Sequence, residues 1–244
     1  MKFELYYPVS PVSINQPFGN VMAVYTAMGL KGHNGIDFMT YHGQPIYAAH
    51  DGDAYWESDG ASGMGVVICS NQTYDYNGQQ VKLKTIYWHM CDPVKEPKFK
   101  SPIYSNDIIP VKRGDLIGYS DNTGISTGDH LHFGLKPGYA GEPDALFMKL
   151  EPNNGYNGAI DPKPYFNGKF AFDNLPAHHL TDVEQTILYL SNVLKYGQTS
   201  IQIKRMQQLL IDTGYSIPAG ATGKWFNQTQ AALDKWKSEH KWLF

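Results

Sequence analysis

The sequence predicts a multi-domain protein: a β-rich antiparallel domain over residues 1–168, a linker over 169–180 and a small three-helix domain over 181–244. Three observations carry this. Up to Gly168, glycine and proline cut the chain into short runs rich in β-branched and aromatic residues, "GQPIYAAHDGDAYWE", "MGVVICS", "VKLKTIYWHM" and "GDLIGYS", the pattern of strands between turns. Asn77-Gly78 separates the second of these runs from the third, and that dipeptide favours a tight hairpin turn because both residues tolerate positive φ. After Gly168 the apolar spacing changes to threes and fours, the period of amphipathic helices.

Each helix has its own signals. In "TDVEQTILYLSNVLKYG", Thr181 is placed as N-cap with Glu184 three residues on, so each side chain can satisfy the other's exposed backbone N–H. Val183, Ile187, Leu190, Val193 and Leu194 then share a face, and Gly197 reads as a stop. "SIQIKRMQQLLIDTGY" repeats the device through Ile203, Met206, Leu209 and Leu210 and ends at Gly214. "NQTQAALDKWKSEH" supplies a third helix through Ala232, Leu233 and Trp236. Such stripes read as core. The polar "FDNLPAHH" reads as linker, with His178 and His179 solvated. Asp92 to Pro110 holds four prolines and reads as a surface excursion, which either walls a groove or is a solvated insertion without a role.

The chain has 244 residues, 42% apolar and 18% charged, enough to bury a real core. A net charge of -3 provides no broad basic field, which argues against a nucleic-acid partner. Glu4 stands where a secretory signal would need its apolar run, Pro8 and Pro11 follow, and no later run approaches transmembrane length. Neither Sec export nor membrane insertion is expected from the chain as written. Two cysteines make no disulfide framework. One hairpin turning at Asn77-Gly78 would set Cys69 opposite Ile86 with Cys91 well beyond it, so both read as unbridged thiols. Cys91 lies two residues after His89, and a sulfur ligand for a metal is the lesser alternative there.

The chemistry-bearing residues cluster in two stretches. In "STGDHLHFGLKPG", strand alternation puts His130 and His132 on one face and Leu131 and Phe133 on the other. In "KGHNGIDFMTYHGQPIYAA", His33 and Asp37 are four apart, but Gly32 and Gly35 argue for a turn leading into a strand rather than a helix. That histidine and carboxylate, joined by a histidine from "HLH", make a nitrogen and oxygen set suited to tetrahedral zinc with a fourth position open to water, the catalytic type of site. His89, in "TIYWHM", lies in a third strand-like run whose Trp88 takes the opposite face; alone it would read as a buried, hydrogen-bonded histidine. His42 and His50 read as having no part in the site.

The residues from Pro17 to Phe166 resemble the lysostaphin/LytM-type zinc endopeptidases, which cleave peptide bonds in bacterial peptidoglycan. The likeness runs through "PFG", "GHNGIDF", "GQPIYAAHDG", "GMGVVI", "TIYWHM", "VKRGDLIGYSDNTGISTGDHLHFGL" and "IDPKPYF", in the family's order. The resemblance implies zinc ligands His33, Asp37 and His132, a catalytic pair His89 and His130 beside the metal, and peptidoglycan as substrate. Two departures stand out: Asn20 begins an apolar stretch where the family usually has an arginine nearby, and Asp129 replaces the proline before "HLHF". The C-terminal region resembles the small helical peptidoglycan-binding module through "LKYGQTSIQIKRMQQLLIDTGY" and "TGKWFNQTQAALDKWK". Ser200, Thr222, Phe226 and Lys237 depart there from the usual glycine, aspartate, glycine and glutamine, so the resemblance implies the fold more than the binding.

Two other readings use the same residues. Two histidines and a carboxylate also make the facial triad of non-haem iron oxygenases, although such a site has no use for His89, His130 or a wall-binding appendage. A catalytically inactive binding or activator protein would share the fold but typically lacks ligands that this chain retains. A monomer is expected, and a wall hydrolase with no visible export signal would suit a phage endolysin, a virion-borne lysin or export by another route.

Overall fold

In the computed structural model, which describes residues 2–140, 149–172 and 181–240, Asn77 and Gly78 form the turn the sequence calls for, with φ of 53° and 80°. They join β7 (Tyr74–Tyr76) to β8 (Gln79–Met90), with Tyr76 opposite Gln79. The same β8 pairs with β6 (Gly63–Ser70). Here the register differs from a single continuous hairpin, since Cys69 faces Lys84 and not Ile86. The short break between Ser70 and Tyr74 causes the offset. Ser70 Oγ accepts from Leu83 N–H at 3.0 Å and donates to the Gln72 carbonyl at 2.8 Å, so the chain turns out of the ladder before β7 rejoins it. Cys69 and Cys91 are both buried and neither forms a disulfide.

The described residues fall into two units, Met1–Ala177 and His178–Phe244. In the first, an antiparallel sheet runs in the order β2 (Ile14–Gln16), β3 (Ile36–Met39), β11 (His130–Tyr139), β8, β6, β5 (Gly52–Asp59), β9 (Ile109–Val111), with β7 also on β8. Two smaller ladders flank it: β4 (Pro45–Tyr47) with β10 (Leu116–Tyr119), and β1 (Leu5–Tyr7) with β12 (Phe166–Phe170). The last is parallel, a small exception in a predominantly antiparallel domain. β12 also carries the β structure past Gly168, and Ala171 N–H still bonds the Tyr7 carbonyl at 3.0 Å.

One aromatic core fixes the central strands. Leu131 and Phe133 of β11, Phe38 of β3 and Tyr87 of β8 are wholly buried, and the Phe133 ring meets Tyr87 at 5.1 Å and Phe166 at 5.5 Å between centroids. Tyr87 Oη accepts from Ala49 N–H at 2.9 Å, so even its polar end is satisfied inside. Burying such rings is worth several kcal/mol each. That energy holds β11 in one register, because a one-residue slip would turn every core side chain outward.

The second unit contains α2 (Asp182–Val193), α3 (Ile201–Asp212) and α4 (Asn227–Glu239). Thr181 and Glu184 form the reciprocal cap, and Ser200 Oγ caps α3 by accepting from Ile203 N–H. The stripes meet in a separate core of Ile187, Leu190, Ile203, Met206, Leu210, Ala232, Leu233 and Trp236. Gly214 follows α3 with a φ of 97°, whereas α2 stops at Val193, before Gly197. His178 and His179 lie outside the described residues. No helix among the described residues is long and apolar enough to cross a membrane.

His50 is a structural histidine with both ring nitrogens engaged, by Thr85 Oγ1 at 2.8 Å and the Asp51 carbonyl at 2.8 Å. Burial pushes its pKa from 6.5 down to about 4, against a smaller upward pull from Asp51. Below pH 6.5 the unfolded chain therefore takes up a proton that the folded chain refuses until about pH 4. Stability should fall across that window by up to about 3 kcal/mol from this group. Urea midpoints measured against pH should fall less steeply on the acid side for His50→Gln than for the wild type; equal slopes would show that the native state does not hold His50 neutral.

Candidate metal centre and its flanking histidines

The site grows out of the pairing of β3 with β11. His132 lies opposite Asp37, Leu131 opposite Phe38 and Phe133 opposite Ile36. Since the apolar members of these pairs fill the core, Asp37, His130 and His132 are turned to the other face. His33 precedes β3 in a turn stitched at both ends, by Gly19 N–H to the His33 carbonyl at 2.8 Å and His33 N–H to the Asn20 carbonyl at 2.8 Å. Its Nδ1 donates to the Pro17 carbonyl at 3.2 Å. In the neutral ring that leaves the lone pair on Nε2, which points at Asp37 and His132.

Three donor atoms converge there. His33 Nε2 lies 2.9 Å from His132 Nδ1, and Asp37 Oδ1 lies 3.1 Å from each of those nitrogens. His33 is 1% and Asp37 6% exposed, so the cluster is removed from water, where an unpaired carboxylate would cost several kcal/mol. Burial would raise the Asp37 carboxyl, but the adjoining imidazoles of His132 and His33 outweigh it and hold the group well below the usual carboxylate range. Burial lowers the His132 pKa, against an upward pull from Asp37. A buried carboxylate facing two imidazole nitrogens fits a divalent cation of the zinc class, and among the described residues these three form one of two groups whose donor atoms lie close enough together for an ion.

His89 and His130 stand beside this set. Their rings are 4.4 Å apart between centroids, and His130 Nε2 is 3.8 Å from Asp37 Oδ2. Each donates from Nδ1 to a backbone carbonyl, His89 to Thr123 at 2.6 Å and His130 to Gly128 at 2.8 Å, so each neutral ring carries its lone pair on Nε2. Burial, then the neighbouring His130, lowers the His89 pKa to about 4.

His89 reaches this face by a route that simple alternation does not describe. Trp88 is the residue paired with His132, so it shares the site face rather than the opposite one. His89 follows in the left-handed region with φ of 65°, at a register shift where Met64 pairs with Met90 but Gly65 with Trp88. The bulge re-aims a side chain that would otherwise turn toward the core.

Other parts of the site have no signature in residue type or spacing. The apolar stretch after Asn20 forms the short helix α1 (Ala23–Ala27), none of it buried. It sets the Tyr25 ring over His33 at 5.2 Å and 24°, with Tyr25 Oη donating to Gln16 Oε1 at 2.7 Å. Burial and then the Asp37 charge push the Tyr25 pKa up to about 12. The carbonyls of Pro17, Thr123 and Gly128 fix three ring tautomers, and a backbone acceptor has no signature in residue type.

Residues 31–143 match the sequence family described as Peptidase family M23. That span contains His33, Asp37, His89, His130 and His132. The chain carries a peptidase M23 domain. This domain is 32% identical over 104 residues to an uncharacterized metalloprotease of Haemophilus influenzae, a stretch that is 43% of this chain and 18% of that protein. Among solved structures, a zinc-containing peptidase from Vibrio cholerae is similar at 25% identity and a TM-score of 0.44, covering 66% of this chain and 39% of its own. LytU is similar at 29% identity and a TM-score of 0.42, covering 67% and 89%. The chain thus spans well under half the length of the Haemophilus and Vibrio relatives.

Within the M23 domain Gly35 is a positioning residue. A Cβ there would lie 2.6 Å from His132 Cε1 and 2.7 Å from both His132 Nε2 and the Phe133 carbonyl. Gly35→Ala should therefore displace the His132 ring, lowering metal affinity at this set by about 10-fold or more, with an unchanged far-UV circular dichroism spectrum. Equilibrium dialysis against zinc reads it, and wild-type affinity would show that the ring does not need this approach.

Proposed function

We propose that the protein is a zinc-dependent endopeptidase that hydrolyses peptide cross-links or stem peptides of bacterial peptidoglycan. The observation that carries the reading is the convergence of His33 Nε2, Asp37 Oδ1 and His132 Nδ1 within 3.1 Å of one another, beside two histidines that offer a lone pair on Nε2. The peptidoglycan part rests on the resemblance of the sequence motifs to lysostaphin/LytM-type enzymes.

His33, Asp37 and His132 would hold the ion, with Pro17 fixing the tautomer of His33. Zinc bound there supplies Lewis acidity, polarising the scissile carbonyl and lowering the pKa of water toward about 7. His89 and His130 divide the remaining work. One accepts the proton of the attacking water at Nε2 and returns it to the leaving amine; the other, as an imidazolium donating from Nε2, stabilises the negative charge that develops on the carbonyl oxygen. Thr123 and Gly128 keep both rings in the orientation this needs. Tyr25 covers one side of His33 and restricts water there.

The three-helix unit would anchor the enzyme to the wall. Its separate core is consistent with a module that keeps its shape without help from the sheet. A chain ending after Phe172 should retain zinc and cut small soluble peptides as the full chain does, yet bind and clear intact walls less well. Equal co-sedimentation of the two forms with peptidoglycan would remove the anchoring role.

The roles within the site separate by metal content. Alanine at His33, Asp37 or His132 should lower both zinc at this centre and activity. Alanine at His89 or His130 should leave zinc near stoichiometric while turnover of purified peptidoglycan falls by about 100-fold or more. Metal analysis of dialysed variants beside the turnover assay decides it. Full activity in His89→Ala would return that residue to a structural role, iron in place of zinc would favour an oxygenase, and bound zinc without turnover of any peptidoglycan would favour an inactive binding protein.

A further inference from the structure

A second cluster of chemistry-bearing side chains lies at one end of the sheet, outside the set already described. Four separate segments supply it: His42 from the turn between β3 and β4, Cys91 after the end of β8, Glu96 from the excursion that begins at Asp92, and Asp121 after β10. His42 Nδ1 is 3.0 Å from Asp121 Oδ1, and His42 Nε2 is 2.8 Å from Glu96 Oε2. One donor atom from each of the four residues lies within 4.8 Å of the others. We propose that His42, Cys91, Glu96 and Asp121 form a metal site for a zinc-class divalent cation, which fastens the excursion to the end of the sheet.

The chemistry of the donors supports a cation. A thiol sulfur, an imidazole nitrogen and two carboxylates make four protein ligands, the closed set of a structural site, and the sulfur and nitrogen favour zinc-class ions over calcium or magnesium. Around a zinc ion, ligand atoms at about 2.0–2.3 Å stand roughly 3.3–3.7 Å apart, so the cluster needs only small side-chain movements. Cys91 is 2% exposed, and its Sγ donates to the Ser120 carbonyl at 3.3 Å. Burial, then the charges of Asp121 and Glu96, push its pKa up to about 12. A thiol in such a field is a poor nucleophile and makes no ion pair; a bound divalent cation would neutralise the carboxylates and ionise the sulfur. His42 is 41% exposed at its side chain, which leaves an entry path. The Phe99 ring packs edge-on against His42 at 5.3 Å, and Asp92, the first residue of the excursion, accepts Glu96 N–H at its carbonyl at 2.8 Å, so Glu96 is presented by a folded turn.

Without an ion, a protonated His42 between two carboxylates is the competing arrangement. Burial would lower its pKa, but Asp121 and Glu96 prevail and raise it. That arrangement has no use for Cys91, and the sulfur therefore provides the test. Cobalt(II) is titrated into the metal-free full-length protein while thiolate-to-cobalt charge transfer is followed in the near ultraviolet. The His33, Asp37 and His132 set holds no sulfur, so the band reports the second site alone. It should appear in the wild type, persist in Cys69→Ser and in His132→Ala, and vanish in Cys91→Ser. His42→Ala, at an exposed position, and Asp121→Asn should shift its half-saturation upward by about 10-fold or more. Absence of the band after a second equivalent of cobalt, its survival in Cys91→Ser, or indifference to both His42→Ala and Asp121→Asn would overturn the site. If only the sulfur-bearing site fills, the peptidase reading fails and this one stands.

Discussion

The strict alternation of β11 is the constraint on which the rest of the site depends. Leu131 and Phe133 enter a core of rings, and a strand that commits those residues inward has no freedom over His130 and His132. Pairing with β3 transmits the same choice to Asp37, which sits opposite His132. The apolar face therefore places the polar face, and the energy that positions the candidate ligands is hydrophobic rather than electrostatic. A core built to this density resists displacement of its side chains by fractions of an ångström. Such resistance is what a group of converging donor atoms requires.

The polar face also has to be kept in usable form. Histidine has two ring nitrogens, and a site that needs a lone pair at a given atom must occupy the other one. Here main-chain carbonyls do so in three cases, Pro17 for His33, Thr123 for His89 and Gly128 for His130. A carbonyl neither titrates nor competes for a cation as strongly as a carboxylate would. His50 shows the contrast, because both its nitrogens are used inside the protein and it is left with nothing to offer.

Much of this was legible in the residues. The period of "HLHF" told which side chains share a face, the glycines around His33 marked a turn before a strand, and the Thr181 and Glu184 pair marked a helix start that the structure forms as a reciprocal cap. What could not be read depends on partners distant in sequence. The register of β6 against β8 hinges on the Ser70 hydroxyl bonding Leu83 N–H across the break, which no local pattern announces. The pairing of Trp88 with His132 and the bulge at His89 follow from how three strands fit together. His42, Cys91, Glu96 and Asp121 are each ordinary in their own segments, and only the closing of the sheet makes them neighbours. The tyrosine over His33 belongs to a helix too short and too exposed to leave a periodic trace.

If His89 has the catalytic role proposed above, its left-handed backbone sets stability and activity against each other at a single position. A histidine held there costs on the order of 1 kcal/mol relative to a residue that adopts that conformation freely. Glycine would rest there more comfortably, and the fold would gain from it, yet glycine has no imidazole to present. Drift toward greater stability therefore leads away from chemistry at this residue, and selection for a more robust molecule would have to proceed elsewhere in the sheet.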